Sequence, residues 1–275
     1  MTPSRQTLKV NGPAGQIAVH IEGPEKGPVI LMAHSILSSS MMWQAQQALL
    51  AASGWRVVCA DTRGHGLSDC HAASCDMDDL VADSVAVLDG LQIEKAHYVG
   101  LSLGGMSGVG LGLQHSDRLL SLVLCDCRAD MPSAMGEVWN DRIAAAQKEG
   151  CQALAVGTTE RWFGVPFLEA HAAIGQAFRD TIASTQVAGF VSCARAIQGL
   201  NYLEQVPQIK LPTTLMVGAN DGPLPAAMQS MQALISGAKL EIIANAGHLP
   251  NIDQPQSFNA ALMRHFFQNP SWSHA

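Results

Sequence analysis

"HYVGLSLGGMSG" (His97–Gly108) crowds three glycines, Gly100, Gly104 and Gly105, round Ser102 where an apolar strand-like run hands over to a helix-like one. A glycine-rich turn of this kind cradles phosphate, packs a helix closely, or aims a nucleophile. The phosphate loop GxxxxGK[ST] is absent, no lysine follows the glycines, and the dinucleotide spacing GxGxxG also fails here. Gly100, Ser102 and Gly104 instead satisfy GxSxG, in which the flanking glycines make room for a serine held in a strained strand-to-helix turn above the sheet. Gly105 lets neighbouring backbone approach, and Gly108 and Gly110 read as close helix-to-sheet packing.

Outward from this turn, β-type runs recur: "TLKV", "QIAVHIEG", "PVILMAHS", "WRVVCAD", "AHYVGLS", "LLSLVLCD", "LPTTLMVGAND" and "AKLEIIANAGH". The third to the eighth are mostly unalternating and apolar, as strands buried on both faces of a parallel sheet are. Helical stretches such as "SSMMWQAQQALLAASG", "DMDDLVADSVAVLDGLQ" and "PLPAAMQSMQALISG" lie between them, so the class is α/β with helices on both faces of a mostly parallel eight-stranded sheet. Only "NGPAG" separates the first two strands, a hairpin segment, so the sheet begins antiparallel. Between the sixth and seventh strands, "GEVWNDRIAAAQKEGCQALAVGTTERWFG" and the residues from there to Lys210 hold helices without a strand. This predicts a helical cap over 130–210 inserted after the sixth strand, with 1–129 and 211–275 forming the core. The closing "NPSWSHA" (Asn269–Ala275) is expected to fray.

A serine hydroxyl needs a base that is itself oriented by a carboxylate, in chain order Ser, Asp, His for such a sheet. Asp221 follows the strand "TTLMVG" in "ANDGPLP", and His248 follows the last strand in "NAGHLP". Both sit in strand-end loops among turn formers. Of ten histidines, His248 is the one in the loop directly after the last strand, beyond both Ser102 and an acid. Asp126 competes for the acid's role, because it ends the strand after the nucleophile helix and from there also reaches the base. His97 reads as a strand-edge residue rather than a second base. Acyl transfer further requires backbone donors for the oxyanion: the N–H of Leu103, and one from the loop "AHSILSSSMMW", for which Ile36 is the candidate. His34 and Ser35 either shape that loop or touch substrate.

The chain has 275 residues, 48% of them hydrophobic, enough for one sizeable core. A net charge of -7 with 16 Lys and Arg scattered along the sequence excludes nucleic acid and acidic membrane surfaces as natural partners. Seven cysteines (Cys59, Cys70, Cys75, Cys125, Cys127, Cys151 and Cys193) form an odd set without disulfide or zinc spacing. Reduced thiols in a cytoplasm, and no metal, are the expectation. "MTPSRQTLKV" lacks a signal peptide's apolar region, and no stretch reaches the length of a membrane span. Monomer and homodimer are both compatible with the apolar stripes of the outer helices.

"DTRGHGLSD" (Asp61–Asp69), "GLSLGG", "GANDGPLP" and "NAGHLPNIDQP" together resemble the α/β-hydrolase superfamily over nearly the whole chain. More narrowly, "DTRGHG", "ERWF", "EVWNDRIAA" and the final histidine loop resemble the 3-oxoadipate enol-lactonase group. The resemblance implies an α/β-hydrolase fold and a cofactor-free opening of a small lactone that carries a free carboxylate, in bacterial aromatic catabolism. Two loops depart from that group's pattern: "AHSILS" stands for a loop like "SNSLG", and "DCRADMPSAMGEVW" for a segment like "NTAARIG". Both face the active site in the group, so another lactone or ester is an alternative substrate. The same triad also serves carbon–carbon hydrolysis and perhydrolysis, and the same fold serves as a ligand receptor. Arg128 is a candidate for a substrate carboxylate or for a surface salt bridge, and Arg63 reads as structural. Trp139, Trp162 and Phe163 either wall a substrate pocket or pack the cap, and Met41, Met42 and Trp43 share that ambiguity.

Overall fold

Eight apolar runs become eight strands in the computed structural model, which describes residues 5–71 and 74–269. They are β1 (Gln6–Gly12), β2 (Gly15–Glu22), β3 (Val29–Ala33), β4 (Arg56–Ala60), β5 (Ala96–Leu101), β6 (Leu119–Cys125), β7 (Thr213–Gly218) and β8 (Lys239–Ile243). One sheet joins them in the order β1-β2-β4-β3-β5-β6-β7-β8. β1 pairs antiparallel with β2 across the "NGPAG" turn, where Gly12 faces Gly15. β2 pairs antiparallel with β4, and all later pairings are parallel. The expected fraying of the closing segment lies, beyond Asn269, outside the described residues.

The connections are helical: α1 (Gln44–Ala52), α2 (Met77–Gly90), α3 (Leu103–Gln114), α9 (Leu224–Leu234), α10 (Pro250–Asp253) and α11 (Pro255–Gln268). The second starts sharply because Asp76 caps it, accepting the N–H of Asp79 while the Asp79 side chain reaches back to the N–H of Asp76. Strand alternation puts helices on both faces of the sheet. Tyr98 gives its hydroxyl to the carbonyl of Gly104 in α3 on one face. Its neighbour His97 packs edge-on against Phe266 of α11 on the other. Five further helices, α4 (Ser133–Glu149), α5 (Ala155–Phe163), α6 (Val165–Ala170), α7 (Ala172–Ser184) and α8 (Val187–Gln198), intervene between β6 and β7.

Two expectations need correction. β8 lies at the edge of the sheet and exposes Lys239 and Ile242, so it is not buried on both faces despite its apolar run. β5 lies inside the sheet, so His97 is no edge residue: it is buried, with Nδ1 at 2.6 Å from Ser121 Oγ. No disulfide joins the described cysteines. Among the described residues no helix is long and apolar enough to cross a membrane.

Parallel register brings the chemistry to one end of the sheet. Ala33 of β3 pairs with Gly100, and Leu101 pairs with Cys125. The loops after β3, β5, β6, β7 and β8 therefore converge at the strands' carboxyl ends, where open α/β sheets bind ligands.

Candidate active site

Ser102 sits between β5 and α3 at φ 55 and ψ -112, a conformation that is costly for a residue with a side chain. The surrounding glycines are what make it possible. A Cβ at Gly100 would stand 2.1 Å from the carbonyl oxygen of Gly104, and one at Gly104 would stand 2.4 Å from that of Ala33. At Gly105 the obstacle is Cys127 Cβ, at 2.7 Å. The turn is pinned on both sides, since Ser102 donates its N–H to Cys125 O (2.9 Å) and Gly104 donates to His34 O (3.1 Å). The glycines thus answer to backbone crowding, and the turn presents Ser102 to the cavity above it.

His248 and Asp221 meet as their loops predict. The imidazole Nδ1 lies 2.6 Å from Asp221 Oδ2, and both residues are buried. With Nδ1–H donating to the carboxylate, Nε2 carries the lone pair, and it has no hydrogen-bond partner among the described residues. Burial lowers the His248 pKa against the opposing pull of Asp221, which keeps the ring neutral and able to accept a proton. Burial works against an ionised Asp221, but His248 and Arg161 act together with a neighbouring donor to hold the carboxyl below its usual range.

The histidine loop is anchored from three directions. His248 donates its N–H to the carbonyl of Trp162 in α5 (2.8 Å), and the indole stacks on the imidazole at 6.4 Å between centroids. Gly247 gives its N–H to Asp253 Oδ2 (2.6 Å), and a Cβ there would lie 2.2 Å from Trp162 O. Asn251 ties the same loop to the residues after β3 through Met42 O (2.7 Å). Trp162 therefore couples the five-helix insertion directly to the position of the imidazole.

The amide N–H groups of Leu103 and Ile36 have no backbone acceptor among the described residues, and Ile36 lines the same cavity as Ser102 and His248. His34 holds this loop from behind. Its Nδ1–H donates to Ser35 O (2.8 Å), and its Nε2 accepts the N–H of Thr62 (2.8 Å). With both nitrogens engaged, the ring shapes the loop and has no valence left for substrate. Arg63 is structural as expected, forked on Asp83 at 2.6 and 2.8 Å.

A cavity of about 160 Å³ opens above the serine, lined by Ile36, Ser102, Asp126, Asp221 and His248 on the sheet side. Arg128, Trp139, Arg142, Arg161 and Trp162 line it from the insertion side. At roughly 30 Å³ per water, it suits a small molecule. His34 and Ser35 do not line it, because they pack beneath their loop, and Phe163 turns into the insertion, against Trp162, Phe167 and Phe178. These three correct the expected pocket set. Met42 and Trp43 belong to the core.

Arg128 spends its charge on Asp130, 3.0 Å away, although it lines the wall. The sequence reading missed Arg142 and Arg161. Neither forms an ion pair among the described residues. Arg142 donates to Thr158 Oγ1 (3.0 Å), lies over the Trp139 ring at 5.2 Å and leaves Nε without a partner. Burial and the neighbouring Arg161 charge lower its pKa to about 10, so it stays cationic at neutral pH. The signal was present in "WNDR" and "ERWF", each an arginine within one turn of a tryptophan.

A second serine–histidine contact is of another kind. Ser121 Oγ lies 2.7 Å from His265 Nε2, but the other nitrogen of that ring faces Thr214 Oγ1 at 2.8 Å rather than a carboxylate. All three residues are buried in the core away from the cavity.

The family described as alpha/beta hydrolase fold matches residues 28–255. Among curated relatives, 3-oxoadipate enol-lactonase 1 of Acinetobacter baylyi is 33% identical over 260 residues, 94% of this chain and 96% of the relative. The enol-lactonase 2 of the same organism is 30% identical over 87% of this chain and 89% of its own length. Among solved structures, the enol-lactonase from Burkholderia xenovorans LB400 superposes with a TM-score of 0.90 at 29% identity, over 94% of this chain and all (100%) of that one.

Proposed function

Because the chain belongs to the alpha/beta hydrolase fold family, we propose that it hydrolyses small carboxylic esters or lactones by acyl transfer, with Ser102, His248 and Asp221 as its triad. The observation that carries this reading is His248: a buried imidazole clamped on Asp221 at 2.6 Å, with its unpartnered Nε2 in the cavity that Ser102 lines. Nε2 takes the Ser102 proton as Oγ attacks the carbonyl, and the amides of Leu103 and Ile36 hold the oxyanion. Asp221 fixes the ring's tautomer and stabilises the imidazolium. His248 then returns the proton to the departing oxygen. In a lactone that oxygen stays on the acyl chain, so water entering the next step meets an acyl-enzyme that still carries its leaving group.

Arg142 and Arg161 extend the reading to an anionic substrate. Two guanidinium groups without ion-pair partners, on the wall facing the serine, form a receptor for a carboxylate. The 3-oxoadipate enol-lactonase relatives support a carboxylated enol-lactone as that substrate. In this reading helices α4 to α8 act as its cap, and a cytoplasmic location accords with cysteines that lack disulfide spacing. The test is hydrolysis of 3-oxoadipate enol-lactone, neutral lactones and short aryl esters by the wild type and by Ser102→Ala. The expected result is preference for the carboxylated lactone, with loss of all turnover in the variant. Preference for neutral esters would remove the anionic assignment, and turnover by Ser102→Ala would remove the serine mechanism.

A further inference from the structure

Asp126 has a place at the site that neither the triad nor the cavity wall accounts for. It follows β6 at φ 43 and is fully buried, with its N–H donated to Met216 O (2.9 Å). Its Oδ1 accepts the N–H of Gly218 (2.8 Å), while Oδ2 has no donor among the described residues. Side-chain atoms of Asp126, Asp221 and His248 lie within 4.8 Å of one another. Two buried carboxyl groups this close strongly disfavour ionising together.

The surroundings decide which of them keeps the proton. Asp221, on the loop after β7, receives the Nδ1–H of His248 and faces the Arg161 guanidinium of the insertion. Asp126 receives one neutral backbone N–H. Behind the histidine loop stands Asp253, another carboxyl that disfavours negative charge on Asp126. The Arg142 charge bears on His248, and Cys125 and Cys127 on either side of Asp126 are buried thiols. We propose that Asp126 is held as a neutral carboxylic acid whose O–H donates to Asp221, so that it positions the acid of the triad. This rests on the reading of Asp221 as the partner of His248. Burial first, and then the Asp221 charge, raise the Asp126 pKa well above its ordinary value, in keeping with this geometry.

Such an acid gives the enzyme an alkaline limit. When Asp126 ionises, Asp221 loses its donor and gains a repelling charge, and its orientation slackens. Asparagine supplies an N–H in place of the O–H and has no proton to lose.

The experiment is the pH profile of kcat on a short aryl ester for the wild type, Asp126→Asn and Asp126→Ala, together with infrared difference spectra of wild type against Asp126→Asn. Asp126→Ala is expected to lose about tenfold or more, the scale of a lost hydrogen bond to a charged group. Asp126→Asn should recover most of that loss, and its alkaline limb should move up by about one pH unit or more. The spectrum should show the carbonyl stretch of a protonated carboxyl that is absent from the variant. Loss in Asp126→Asn as deep as in Asp221→Asn would overturn the proposal, since it would make the Asp126 charge essential. An unmoved alkaline limb, no protonated-carboxyl band, or activity that a chelator removes and a divalent cation restores would each do the same. Failure of the parent reading is separate: there Asp221→Asn would stay active, instead of losing about 10⁴-fold as triads do when their acid is neutralised.

Discussion

Replacing Gly100 with alanine places a methyl carbon 2.1 Å from Gly104 O, 2.4 Å from Gly104 C and 2.8 Å from Gly105 N. All three are backbone atoms of the turn that carries Ser102, so no side chain can swing aside. Real Cβ atoms essentially never approach closer than 3.0 Å, so the turn must open by at least about 0.9 Å. Ser102 and the Leu103 amide lie inside the segment that moves, whereas His248 and Ile36 lie on other loops, so the displacement falls on the reacting geometry. A misplacement of about 1 Å costs on the order of 10²-fold in rate, and overpacking of this kind costs about 1–3 kcal/mol of stability. Gly157, on α5 with nothing within 4 Å of its virtual Cβ, is the control. There alanine should stabilise by about 0.5–1 kcal/mol. Steady-state kinetics on an aryl ester, with thermal melts of both variants, provide the assay. A folded Gly100→Ala enzyme with kcat within about threefold of wild type would refute the argument that these glycines hold the nucleophile.

Arg142→Met should raise KM for a carboxylated lactone by about 10- to 100-fold while a neutral aryl ester loses far less; equal losses on both would deny Arg142 a role in anion binding. Trp162→Ala removes a fully buried ring that packs on Phe163, Phe178 and His248, and should lower stability by about 3–5 kcal/mol in chemical denaturation and reduce kcat with it. Stability should also fall on acidification. Burial lowers the pKa of His65 and His265 to about 3 and of His97 to about 4, so between those values and about 6.5 the unfolded chain binds more protons than the folded one. Each of these histidines then contributes stability that is complete above pH about 6.5 and declines by up to about 1.4 kcal/mol per unit below it. A melting temperature that stays flat from pH 7 to about 4.5 would contradict that linkage.

The sheet was legible because its later strands are apolar runs separated by helical stretches, and because the "NGPAG" hairpin declares the antiparallel start. That Ser102, Asp221 and His248 sit in loops at the strands' carboxyl ends was legible for a related reason: strand-end loops rich in glycine and proline mark where side chains are presented. Burial on the two faces of β8 was not, since an edge strand and an inner strand carry the same apolar letters. Arg142 and Arg161 come from two helices that read as ordinary amphipathic segments, and only the packing of α4 and α5 above the serine brings them into one cavity. His34 and Phe163 illustrate the converse. Each stands next in sequence to a site segment, yet hydrogen bonds on both nitrogens turn the first away from substrate, and ring packing turns the second into the insertion. The sequence also placed Asp126 near His248, but not the proximity to Asp221 or the donors each carboxyl receives, on which its proposed protonation rests.

Covalent labelling tests the central claim most directly. Wild-type protein treated with a fluorophosphonate should gain one adduct, and peptide mass spectrometry should place it on Ser102, with labelling slowed by orders of magnitude in His248→Ala. An adduct on another residue, such as Ser121, or an unlabelled protein that still hydrolyses the enol-lactone, would contradict the assignment of Ser102 and His248 as nucleophile and base.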